Sequence, residues 1–97
     1  MTESDALYDF DDIAAQIRME RRRQIEKWGT NHHPPDTYIR VLGEEFGEVC
    51  RAANDRQWHN YREELIQVAA VAVRMVQSFD AQRGAINEYV IPGLPGQ

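Results

Sequence analysis

A single cysteine, Cys50, excludes a disulfide within this chain, so no covalent brace supplements its packing. Positive charge is also scarce, with 11 Lys and Arg against 16 Asp and Glu and a net charge of -5. That balance argues against a nucleic-acid polymer or an anionic membrane as partner, because both reward a basic surface. It leaves nucleotides open, since a few carboxylates can recruit Mg²⁺ and let the metal meet the phosphates. No apolar run is long enough to cross a bilayer; the most apolar stretch, Leu65 to Val76, is interrupted by Gln67 and Arg74. One thiol and no signal-peptide pattern lead us to expect a cytoplasmic protein. Internal repeats, glycine-rich phosphate loops and nucleophile motifs are lacking as well.

What remains is 97 residues of ordinary globular composition, read as one all-α domain. Met1 to Tyr8, polar and acidic without a sustained period, reads as part of a frayed terminus over residues 1–9. From Phe10 a helical period begins, with Ile13, Ala14, Ile17, Ile25 and Trp28 on one stripe. Arg21 and Gln24 are polar positions inside that stripe. They either snorkel to water near the end of the core or line a polar pocket cut into it. Arg22, Arg23 and Glu26 read as a solvated face.

Gly29 ends the first helix, and Thr30 to Pro35 reads as a loop. Its adjacent His32 and His33 point in different directions and have no companion ligands beside them, so zinc is disfavoured. One of them contacting or stacking on a ligand fits better, since Trp28 adjoins the same loop. The double proline opens a second helix whose apolar stripe is Ile39, Leu42, Phe46, Val49, Cys50 and Ala53. Cys50 is then read as a small buried hydrophobe. Gly43 and Gly47 each cost a helix about 1 kcal/mol against Ala, which favours a close approach at this side by another helix or a ligand.

Asn54 to Gln57 is a turn signal, and a third helix follows from Trp58 to about Phe79. That helix is apolar nearly all round, leaving only a narrow stripe of Glu63, Gln67, Arg74 and Gln77. Such a helix must be surrounded on most sides, and two other helices are too few to do it. The expectation is a small bundle of three main helices completed by homo-oligomerisation, as at least a homodimer. Residues 80–97, rich in Gly and Pro, read as an irregular tail that packs on the bundle or on a second subunit.

The chemistry is concentrated between Leu42 and Gln67. Glu45 and Glu48 lie one helical turn apart, and Glu64 and Gln67 repeat that spacing. An antiparallel hairpin brings Glu48 and Glu64 to the same level, because each lies about six residues from the turn. Carboxylates crowded in this way repel one another unless protonated or bound to a cation. Hard oxygen ligands suit Mg²⁺, or Mn²⁺, better than zinc. The competing reading is a solvated face, the usual fate of an i, i+3 pair of Glu. A ferritin-like di-metal site would need Glu-x-x-His pairs, which these helices lack.

The segment Leu42-Gly43-Glu44-Glu45-Phe46-Gly47-Glu48-Val49, followed after a spacer by Glu64-Leu65-Ile66-Gln67, resembles the MazG-like all-α nucleotide pyrophosphohydrolases. Their signature is E-x-x-E, a spacer, then E-x-x-D. The upstream Arg23-Gln24-x-Glu26-Lys27-Trp28-Gly29, with His32 and His33 after it, is similar to the segment preceding that signature in many members. The similarity extends from Ile17 to Phe79. It implies a helical dimer or tetramer hydrolysing a (d)NTP to the (d)NMP and pyrophosphate with Mg²⁺, by in-line attack of water on the α-phosphorus. Glu45, Glu48 and Glu64 fall at metal-ligand positions, and Glu44 at a position to orient or deprotonate the water. Gln24, Trp28 and His32 or His33 fall where members contact base and sugar, with Arg21 and Lys27 as phosphate contacts. The chain departs from the pattern at Gln67, where Asp is expected: an amide oxygen can still coordinate Mg²⁺, but one negative charge is lost. The other reading this leaves is a catalytically weak or inactive module that binds nucleotides or a protein.

Overall fold

The computed structural model of the protein describes residues 1–83, apart from the side chain of Tyr8. Four helices form there: α1 (Glu3–Tyr8), α2 (Phe10–Trp28), α3 (Pro35–Asn54) and α4 (Trp58–Ala81), with no strand among the described residues. The architecture is all-α, and no helix of the described residues is long and apolar enough to cross a membrane. The tail expected from residue 80 begins two residues late, since α4 continues to Ala81. Beyond residue 83 it lies outside the described residues.

Local chemistry sets each boundary. Glu3–Tyr8 is helical rather than frayed because Thr2 and Asp5 form a reciprocal capping box: Asp5 N–H donates to Thr2 Oγ1 at 3.1 Å and Thr2 N–H to Asp5 at 3.2 Å. Asp11 and Asp12 sit in the first turn of α2, where acidic groups complement the helix dipole. At the other end Gly29 takes φ 80°, a backbone state glycine adopts without strain, and its N–H donates to Ile25 O at 2.7 Å. Pro34 and Pro35 occupy the N-cap and first positions of α3, where a missing N–H costs nothing. Between α3 and α4 the turn is tight, with Arg56 at φ 57°.

Helix α4 is the centre of the molecule, and α2 and α3 each pack on it. Gln16 meets Arg62 and Arg21 meets Gln77, so α2 runs the same way as α4. Glu45 meets Gln67 and Tyr38 meets Ser78, so α3 runs the opposite way. The buried core is small: Tyr38, Val49 and Ala52 from α3 against Ala70 and Val71 from α4.

This arrangement corrects two expectations. The inward face of α3 is centred on Tyr38, Val49 and Ala52, which leaves Ile39 and Phe46 more than half exposed and Cys50 on the surface rather than in the core. On α2 the stripe of Phe10, Ile13, Ile25 and Trp28 is likewise exposed, and Gln24 is its one fully buried side chain. The cause is common to both. Two helices flanking a third cover only the sides that meet it, so part of each apolar surface stays open. Leu65, Val73 and Val76 of α4 are left exposed in the same way.

Candidate metal centre

The antiparallel pairing of α3 and α4 brings Glu45, Glu48 and Glu64 together. One oxygen from each lies within 4.8 Å of the others. Glu45 and Glu48 share a face of α3 through their i, i+3 spacing, and Glu64 meets them from the first turns of α4. Exposed acids often gather without consequence, so the electrostatics matter more than the count. The Glu64 carboxyl is pushed up to about 7, first by burial, then by a hydrogen bond with Glu48 and by the charges of Glu48, Glu45 and Glu63. Burial, followed by the Glu48 charge, also raises Glu45. These are the signs of negative charge without a sufficient counter-charge. The surrounding pairs are peripheral: Arg51 lies 3.9 Å from Glu48, and His59 3.1 Å from Glu63 at the surface.

The side chain of Gln67 completes the group, within 2.9 Å of Glu45 Oε2 and 3.3 Å of Glu64 Oε2. With its NH₂ turned toward them it donates to both carboxylates. With its oxygen turned the same way it would be a fourth oxygen ligand for a cation. Three carboxylates and an amide oxygen are a donor set that fits a hard divalent ion such as Mg²⁺ or Mn²⁺.

A cavity of about 430 Å³ adjoins the cluster through Glu45 and Glu44. Val41 and Val71 give it an apolar floor, Trp28 and His33 stand at its side, and Gln24, Thr37, Tyr38 and Arg74 add polar groups. Gln67, Val71 and Arg74 are spaced i, i+4, i+7 and so lie along one face of α4. The acids therefore stand toward one end of the slot and Arg74 toward the other. At 1.5 Å per residue the separation along α4 is about 10 Å.

A buried hydrogen-bonded hub fixes the loop over the Arg74 end. Ser78 Oγ, 3% exposed, is 2.8 Å from both the Tyr38 hydroxyl and His32 Nδ1. His33 N–H donates to the same Tyr38 hydroxyl at 3.2 Å, and Arg74 Nη2 donates to Asn31 O at 3.1 Å. The Arg74 guanidinium also lies 5.3 Å from the Tyr38 ring centre.

The residues singled out in the sequence separate into two groups. Glu44, Glu45, Gln24, Trp28 and His33 line the cavity, and Glu48, Glu64 and Gln67 stand with Glu45 in the cluster. His32 is instead bound to Ser78, Lys27 lies 5.1 Å over the Trp28 ring, and Arg21 sits behind Gln24 in the groove between α2 and α4. Three participants were missed. Tyr38 and Ser78 carry no motif signal. Arg74 does carry one, as a charge in an apolar helix seven residues after Gln67. Arg23, read as solvated, pairs with Glu20 beside Glu45, its Nε donating at 2.9 Å. Compared with known protein families, curated proteins and solved structures, the chain matches none.

Proposed function

We propose that the chain is a metal-dependent nucleoside triphosphate pyrophosphohydrolase that releases a (d)NMP and pyrophosphate. The observation that carries this reading is the convergence of Glu45, Glu48 and Glu64 beside a cavity bearing Trp28. Resemblance of the acidic segments to the MazG-like enzymes supports it.

Glu45, Glu48 and Glu64 hold the cation, with the Gln67 oxygen as a fourth ligand after its amide turns. A bound Mg²⁺ or Mn²⁺ supplies positive charge at the phosphate oxygens and at the leaving pyrophosphate. Glu44, at the cavity edge next to Glu45, is placed to accept a proton from water attacking the α-phosphorus. Trp28 stacks on the base, and the walls around Val41 and Val71 exclude water from it. The working form is a homodimer or tetramer, supported by the apolar surface that α2, α3 and α4 leave open.

One observation favours a second reading. The Gln67 amide can occupy two of the carboxylates by hydrogen bonds, which suits a nucleotide-binding module of weak or no activity. The test incubates the protein with a panel of NTPs and dNTPs and Mg²⁺ or Mn²⁺, and measures pyrophosphate with and without chelator. Chelator-sensitive release that Glu48→Ala abolishes supports the enzyme. Binding without release supports the module.

A further inference from the structure

The hydrogen-bonding polarity of the cavity specifies what kind of base it accepts, an inference that rests on the nucleotide reading above. Gln24 is 2% exposed and lines the cavity. Its amide has a fixed orientation, because Arg21 Nη1 donates to Gln24 Oε1 at 3.3 Å and a guanidinium can only donate. The oxygen is thereby turned toward Arg21, and the NH₂ makes no hydrogen bond among the described residues; Arg21 Nε is buried without a partner. Arg21 is itself held in place by a second bond, from Nη2 to Gln77 Oε1 at 3.2 Å. It contributes from behind, as a positioning residue.

Arg74 supplies the other donor group. It is the only cationic side chain among the described residues lining this cavity. Its bond to Asn31 O and its place over the Tyr38 ring restrict the guanidinium, and it forms no ion pair among the described residues. Several of its N–H groups remain free for a ligand. The separation of about 10 Å along α4 between Gln67 and Arg74 is comparable with the reach of a nucleotide from its α-phosphate to the far edge of its base. A ligand whose phosphates meet the acid cluster thus brings its base to the end where Arg74 stands, with Trp28 at its face.

We propose that Arg74 and the Gln24 amide, its orientation locked by Arg21, select nucleotides whose base carries a carbonyl (O6 of guanine, O4 of uracil or thymine) where adenine and cytosine carry an amino group. Guanine, with adjacent O6 and N7, matches a guanidinium fork, and uracil or thymine offers carbonyl oxygens to the same donors. Adenine and cytosine would turn an exocyclic amino group toward these donors. Donor would face donor, and a buried polar group would be left unpaired.

The test measures binding and turnover of GTP, UTP and dTTP against ATP and CTP, with Mg²⁺ present. Keto bases are expected to be preferred roughly tenfold or more. Arg74→Met keeps the aliphatic stem and removes the fork, and it is expected to flatten the preference while Mn²⁺ binding to the acid cluster is unchanged. Gln24→Glu replaces the donor by an acceptor facing the same cavity, and is expected to shift preference toward the amino bases. Circular dichroism checks that both variants are folded. Equal handling of all five nucleotides, or a preference untouched by both substitutions, overturns the inference and leaves the hydrolase reading standing. Failure of every nucleotide to bind overturns both.

Discussion

The Gln67 amide lies 2.9 Å from Glu45 Oε2 and 3.3 Å from Glu64 Oε2, bridging an acid of α3 and an acid of α4. An oxygen of Gln67 in that place would face only acceptors, so the metal-free arrangement favours its NH₂. On the proposed reading, a cation would require the amide to turn over and would gain a neutral ligand in return. Gln67→Asp removes the donor and adds a charge. It is expected to tighten Mn²⁺ binding by roughly tenfold, measured by calorimetry, and to raise turnover. A variant that binds Mn²⁺ no better than the parent would show that Gln67 is not part of the metal shell.

Glu64 links this site to pH. Its carboxyl is raised from the ordinary 4.5 to about 7, led by burial. The folded, metal-free protein therefore binds a proton there that the unfolded chain has already lost. The stability associated with that proton is fully present below pH 4.5 and is lost as pH rises through about 7. Cation binding must displace the same proton. Mn²⁺ affinity is expected to fall as pH drops below about 7, with proton release detectable by calorimetry in buffers of different ionisation enthalpy. Glu64→Gln should remove this proton release. If release persists undiminished in that variant, the titrating group lies elsewhere.

Ser78 is the buried joint between the loop and the bundle. In Ser78→Ala the Tyr38 hydroxyl and the His32 ring both lose a partner 2.8 Å away. The expected cost is about 1–3 kcal/mol, read as a lower melting temperature, with faster amide exchange over Asn31 to His33. An unchanged melting temperature would mean that water replaces the hydroxyl without loss.

Trp28 stands at the cavity side and is partly exposed. Trp28→Ala is expected to raise KM about tenfold or more, since base stacking on an aromatic ring contributes about 1–3 kcal/mol. Because Trp28 lines the cavity and is not one of the clustered acids, kcat should change far less. A fall in kcat at constant KM would place the base elsewhere.

Much of this was legible in the sequence because it is local. Gly29, the Pro34–Pro35 pair and the turn at Asp55 mark helix ends through backbone chemistry, and the observed ends of α2 and α3 agree with them. The convergence of Glu45, Glu48 and Glu64 followed from helical rise and one antiparallel pairing. The face of α3 that turns inward did not. Ile39, Phe46 and Cys50 are as apolar as Tyr38, Val49 and Ala52, and only the rotation of α3 against α4 decides which set is covered. The helix behind the Thr2–Asp5 cap has six residues, too few to display a period. Ser78 and Tyr38 meet across forty positions of chain, a pairing that composition does not encode.

Glu45 and Glu48 belong to one helix and Glu64 to another. A cation seated there would be a rivet through the α3–α4 hairpin, whatever its part in the proposed reaction. A filled site would clamp that hairpin more firmly than the Gln67 amide and the Glu64 proton do, so occupancy should register as heat resistance even in a catalytically dead variant that keeps its acids.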